Sequence, residues 1–307
     1  MKILRSCVLI FNLLTVHSEP DGEIPLKILQ TLLREIESNS NKNVNTKARD
    51  EITLSLHQIA RRKLFQNNSP SYKALHWLTI DEYLTDRMTR KELLQRYVLS
   101  VLYFSTKGDE WKMCSQNVSS ECVAGTGFQR FLSAKPVCQW YGIHCDKKNQ
   151  ITMIDLVNNG LNGTLPKELI LLSDSLVFLW IHENELNDTL PAWIGDLGRL
   201  ESLSLFRTNM KGTIPSTFEN LKALRSLRLH ENTLSGTLPD KVFLGMKRLQ
   251  WLWLHTNSFQ GKIPYDSIGR LSNLEGLALD GMERNPNLIA NLLNSTKLQT
   301  ILTDCGV

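Results

Sequence analysis

The chain has 307 residues, 42% of them hydrophobic and 21% charged, with a formal net charge of +4 at pH 7. This apolar content over this length supports more than one buried folding unit and excludes a largely disordered protein. The mild basicity argues against a nucleic-acid partner, which would call for dense Lys and Arg clusters.

At the N-terminus, Lys2 and Arg5 precede an apolar run from Cys7 to Val16, and Val16 and Ser18 occupy small-residue positions before Glu19. Residues 1–18 therefore read as a secretory signal. An uncleaved signal anchor is the alternative, because Asn12 interrupts the run and no A-x-A site is present. The run is shorter than the roughly 20 apolar residues of a bilayer span, and no later stretch supplies one. Membrane attachment is expected only through such an anchor or through a partner receptor. Loss of Lys2 and Arg5 with the signal lowers the formal charge from +4 to +2.

Residues 19–88 read as a helical region. "PLKILQTLLREIE" and "RDEITLSLHQIARRKLF" show helical apolar spacing, separated by the polar break "SNSNKNVNT", and "YKALHWLTIDEYL" follows a second break at "QNNSPS". Residues 89–150 form the expected cap of the region that follows. Thr89 suits an N-cap for "RKELLQRYVLSVLYFST", whose apolar residues are expected on one face, docked against the first repeat.

Once Cys7 leaves with the signal, Cys114, Cys122, Cys138 and Cys145 remain near one another, with Cys305 left over. Four cysteines allow three pairings. A zinc site is the weaker reading, since spacing and secretion both favour disulfides.

From 151 to 295 one phrase returns about every 24 to 25 residues, with copies beginning at Ile151, Leu176, Leu200, Leu224 and Leu249. Its pattern is LxxLxLxxNxLxGx[IL]P. A unit this short cannot close a core alone, so its leucines must be buried against those of its neighbours in a stacked solenoid. The triplets Leu176, Leu179, Ile181 and Leu224, Leu227, Leu229 suit short strands with leucines inward, pairing side by side as a parallel sheet. Asn159, Asn184, Asn232 and Asn257 are placed to satisfy backbone groups where each coil turns. Gly163, Gly212, Gly236 and Gly261 permit tight turning, and Pro166, Pro191, Pro215, Pro239 and Pro264 are expected to fix the extended segment after it. The apolar tails, such as "KELILLSDS" and "STFENLKA", suit a convex back wall. The fold class is α/β, a solenoid over 151–307 with degenerate C-terminal coils.

"LNGTLP", "MKGTIP", "LSGTLP" and "FQGKIP" resemble the LxGxIP hallmark of plant-type leucine-rich repeats. Asp188 departs from the pattern at a turn glycine, Thr208 at an asparagine, and Met282 at another asparagine, where the ladder is expected to end. "CQWYGIHC" resembles the C-x-W-x-G-[IV]-x-C element of the plant-type N-terminal cap. That resemblance implies a Cys138–Cys145 disulfide with Trp140 beside it, and makes Cys114 with Cys122 the natural second pair. "SPSYKALHWL" followed by "LLQRYVLSVLYFSTKGDEW" is similar to the region preceding such repeats in receptor-like proteins of diatoms and related algae. No kinase motif is present.

If the repeats stack, their variable residues align in columns about 4.8 Å apart per strand. Met153, Phe178 and Trp251 share the first column. The second reads Asp155, Trp180, Ser204, Arg228, Trp253, Ala278. The third reads Val157, His182, Phe206, His230, His255, Asp280, and the fourth Asn158, Glu183, Arg207, Glu231, Thr256. Solvent-facing aromatics beside Arg, His and Glu suit recognition of a protein or peptide, because aromatic residues and Arg commonly dominate interface energetics. The expected ligand-binding residues are Phe178, Trp180, His182, Glu183, Phe206, Arg207, Arg228, His230, Glu231, Trp251, Trp253 and His255. Duplication of "LWLH" and "LRLH" without a ligand is the bland reading of the same columns.

No metal site is expected, since His182 stands two strands from His230, about 10 Å away, with Phe206 between them. No cofactor is implied. Neither a nucleophile elbow nor a phosphate loop is present, so the chain is not expected to be an enzyme. Sequons at Asn67, Asn117, Asn162, Asn187 and Asn294 suit glycosylation of a secreted protein. The expected function is non-catalytic recognition of a protein or peptide outside the cell, receptor-like or inhibitor-like. The alternative is a structural or carbohydrate-binding component of cell wall or matrix, for which cell-wall polysaccharide is the partner.

Overall fold

A computed structural model describes residues 69–79, 81, 89–117, 122, 127–279 and 300–303. The N-terminal signal, the helices expected before residue 69, Met282, Asp280, Cys305 and the sequons at Asn67 and Asn294 lie outside the described residues.

Two helices lead into the solenoid: α1 (Pro70–Thr79) and α2 (Arg90–Ser105). Thr89 caps α2 as its sequence implies. Its hydroxyl accepts from the Glu92 amide, and the Glu92 carboxylate accepts from the Thr89 amide, completing a reciprocal capping box. The expectation of a one-faced helix fails, because every residue from Leu93 to Tyr103 is buried. Its polar residues explain how. Gln95 accepts from the Ile151 amide and donates to the Asn149 carbonyl, sealing the edge of the first coil. Arg96 donates to Asp81 at 2.6 Å and to the carbonyls of Lys135 and Ser133, its guanidinium lying against both the Trp77 and Trp140 rings. A buried charge is tolerated only when its donors are matched in this way.

The cap that follows contains both disulfides, Cys114–Cys122 and Cys138–Cys145. Trp140 is fully buried and shares an aromatic cluster with Trp77, Phe131, Trp111 and Tyr103. Gly142 has φ of +71°, and a Cβ there would collide with the Asp155 carbonyl, so the "CQWYGIHC" turn requires glycine on two counts.

Short strands then repeat with the period of the sequence: β1 (Ile143–Cys145), β2 (Ile151–Asp155), β3 (Phe178–Trp180), β4 (Ser202–Ser204), β5 (Lys211–Gly212), β6 (Ser226–Arg228), β7 (Thr233–Gly236), β8 (Trp251–Trp253), β9 (Ser258–Phe259), β10 (Gly276–Leu279) and β11 (Thr300–Thr303). The main sheet has the order β1-β2-β3-β4-β6-β8-β10-β11. β1 joins antiparallel as the cap's contribution, and all later pairs are parallel. A degenerate repeat nevertheless supplies β11. β5, β7 and β9 form a second, smaller sheet beyond the turn.

The back wall is made of 3₁₀ turns at Lys167–Leu172, Ala192–Asp196 and Ser216–Asn220, then α3 (Asp240–Gly245) and α4 (Tyr265–Ile268). Leu169, Ile194, Phe218, Val242 and Ile268 close the core from that side. The prolines differ from expectation here. Pro166, Pro191, Pro215 and Pro239 are themselves extended, but each stands immediately before a helical turn, where a missing amide hydrogen costs nothing.

The asparagine ladder is present and reaches backward. Asn184 accepts from the Asn159 and Leu161 amides of the preceding coil and donates to the Leu156 carbonyl there and to Ile181 in its own coil. Asn232 and Asn257 repeat the arrangement, and Asn159 ties the first coil to Met113 of the cap. At Thr208 the hydroxyl is too short to reach the preceding coil, and the backbone substitutes: the Leu186 amide donates to the Thr208 carbonyl.

Candidate functional site

The registers place the strand-face residues in the expected columns. Met153, Phe178, Ser202, Ser226, Trp251 and Gly276 align across the sheet, as do Asp155, Trp180, Ser204, Arg228, Trp253 and Ala278. Column identity follows directly from the repeat because the side-chain period of a strand is two.

The rings do not project as expected. Trp180, Phe206, Trp251 and Trp253 are half-buried, and among the described residues the one exposed large hydrophobic is Leu244, on the back wall, at 41%. The Trp180 and Trp251 rings pack against small residues of a neighbouring strand. Trp180 donates its indole N–H to Ser202 Oγ at 2.9 Å, and a Cβ at Gly276 would enter the Trp251 ring. The Arg228 guanidinium sits 4.9 Å from the Trp253 ring centre. Such a surface is held in place before any ligand arrives, which reduces the ordering entropy lost on binding. Ser202, Ser204 and Ser226 form its floor and were not among the expected site residues. Small side chains flanked by aromatic ones in the same columns were the available signal.

The third column is a stack. His182 lies 4.2 Å from Phe206, Phe206 lies 4.3 Å from His230, and His230 lies 4.6 Å from His255, with adjacent planes within 22°. His182 Nδ1 is 3.0 Å from Ser204 Oγ. Burial lowers the His182 pKa, opposed by Glu183 and Asp155. Burial, then the facing His255, pushes His230 down to about 4, so the ring is neutral at pH 7. The Ser204–His182 pair is not a catalytic dyad, because Ser204 is 2% exposed beneath the rings and has no access to substrate.

The fourth column carries charge on a strained turn. Asn158, Glu183, Arg207, Glu231 and Thr256 all have left-handed φ between 48° and 59°. Side chains rarely adopt this conformation, and its recurrence in five coils marks a turn imposed by the stack. Arg207 bridges two carboxylates, donating from Nε to Glu231 at 2.6 Å and from Nη1 to Glu183 at 3.4 Å. The hydrogen bond to Arg207 holds the Glu231 carboxyl below its ordinary range. His230, Glu231 and His255 also bring three donor atoms within 4.8 Å of one another. The face thus joins all twelve expected residues, while Asn162 and Asn187 lie beyond the turn on the flank.

The family described as Leucine rich repeat matches residues 199–259. The Arabidopsis thaliana leucine-rich repeat receptor-like serine/threonine-protein kinase RGI4 is 35% identical over 75 residues, which is 24% of this chain and 7% of that protein. The crystal structure of the Arabidopsis receptor kinase HAESA ectodomain, in complex with an N-terminally extended IDA peptide hormone, is 31% identical with a TM-score of 0.51. The match covers 55% of this chain and 28% of the HAESA chain. The chain therefore spans a small part of both. No helix among the described residues is long and apolar enough to cross a membrane. The repeat period, the asparagine ladder and the disulfide-bearing cap together give the described residues the fold of a plant-type leucine-rich-repeat solenoid with an N-terminal cap.

Proposed function

We propose that this chain is a receptor-like recognition module that binds a peptide or protein across its strand face outside the cell, without catalysis. The observation that carries this reading is the pre-ordered face itself: Trp180 held on Ser202, Arg228 packed on Trp253 and Phe206 stacked between histidines, bordered by the Glu183–Arg207–Glu231 bridge. A preformed aromatic and Arg surface is what hot spots at protein interfaces are made of. The similarity to an ectodomain solved with a peptide hormone supports the same reading. Two disulfides support an oxidising, extracellular setting. Within that setting the sequons at Asn117, Asn162 and Asn187 are glycan acceptors, and the last two leave the strand face clear.

The test is capture of partners from a cell-surface extract by disulfide-intact protein, beside the Trp180→Ala, Trp253→Ala double variant. Capture by wild type and loss in the variant is expected, and equal capture by both refutes the site. Half-buried aromatic rings beside serine hydroxyls also favour a second reading, a sugar-binding matrix component. Retention on cell-wall polysaccharide, competed by soluble sugar, decides for it.

A further inference from the structure

Two imidazoles and a carboxylate on adjacent coils make a donor set within the strand face. The stack brings His230 of one coil against His255 of the next, with ring centres 4.6 Å apart. Glu231 turns from the left-handed position beside His230. One donor atom from each of the three lies within 4.8 Å of the others. The Nδ1 atoms of both histidines are buried without a hydrogen-bond partner, a cost that an ion on the imidazole pair would offset. Glu231 is engaged through Oε2 by Arg207, which leaves Oε1 available.

We propose that His230, Glu231 and His255 bind a divalent transition-metal cation of the zinc class on the strand face. Imidazole with one carboxylate is a donor set suited to zinc and its neighbours and poorly suited to calcium or magnesium. Donors around a tetrahedral zinc ion stand about 3.3 Å apart and imidazole lone pairs lie in the ring plane, so at least one of the two stacked rings turns out of the stack to share the ion. His255 is half-buried, so its ring is open to solvent on one side. Three protein donors leave an open position for water or for a group from a bound partner. His182 takes no part, because the Phe206 ring separates it from His230. The guanidinium groups of Arg207 and Arg228 oppose a cation, so the site is weaker than a closed structural zinc site.

The test needs no peptide and is independent of the recognition reading. Disulfide-intact protein is titrated with zinc chloride at pH 7.5 by calorimetry, with circular dichroism to check the fold of each variant. One equivalent is expected, weakened at least tenfold by His255→Ala and by Glu231→Gln and unchanged by His182→Ala. Arg207→Ala, which frees Glu231 and removes a positive charge, is expected to tighten binding. Absence of uptake by folded wild type at millimolar zinc overturns the proposal. So does uptake that survives His255→Ala, or that is lost equally in His182→Ala.

Discussion

At the scale of single residues, two positions decide how well the stack is satisfied. Removing the Asn184 side chain leaves the Asn159 and Leu161 amides without their acceptor inside the core. Each orphaned buried group costs about 1–3 kcal/mol, so Asn184→Ala is expected to destabilise by roughly 2–4 kcal/mol in denaturant unfolding. Thr208→Ala is expected to cost only about 1 kcal/mol, because the Leu186 amide already bonds to the backbone at that coil. His182 sets a pH response. Burial lowers its folded pKa below the ordinary value of 6.5, with Glu183 and Asp155 opposing and Arg228 assisting. As pH falls below 6.5 the unfolded chain takes up a proton that the folded ring refuses, so this stability is lost on acidification. The melting temperature is therefore expected to fall between pH 7.5 and 5. His182→Phe, which keeps the stack on Phe206 and cannot titrate, is expected to lessen that dependence, while His230, pushed down to about 4, maintains the rest of it.

At the scale of elements, α2 determines how the solenoid begins. A leading coil would otherwise present its apolar edge to water, and α2 covers it while being covered in turn by α1 and the disulfide-bearing cap. Arg96 joins these pieces through Asp81, two carbonyls and two indole rings. Truncating one partner of a buried ion pair typically costs about 3–5 kcal/mol, because the other charge stays buried. Arg96→Met is expected to lower stability by that amount. An unfolding curve within about 1 kcal/mol of wild type would show that the bridge contributes specificity instead. In the sequence α2 reads as amphipathic because Gln95, Arg96 and Ser100 interrupt its leucines. That Gln95 is matched by the Ile151 amide and Arg96 by the Lys135 and Ser133 carbonyls depends on residues far along the chain.

At the scale of the molecule, the strand face is one surface distributed over successive coils, and its parts should act in concert on a partner that spans them. Trp180 and Trp253 lie three strand steps apart, about 14 Å. At that distance their contributions are expected to add. Trp180→Ala and Trp253→Ala should each weaken capture of the same partner, by about 1–2 kcal/mol or roughly 5- to 30-fold, and the double variant by the sum. A partner lost to one substitution and indifferent to the other would occupy one end of the face. What the sequence by itself determined is the parallel stack, its column assignments, the asparagine ladder and the capped helix start at Thr89. These follow from period and local chemistry, which one repeat shares with the next. Tertiary structure alone decided that Trp180 and Trp251 pack against Ser202 and Gly276, that histidines stack through Phe206, that Glu231 joins His230 and His255, and that α2 is buried from Leu93 to Tyr103. Each of these depends on which side chain stands opposite across a coil boundary, and a repeat pattern read along one chain does not carry that information.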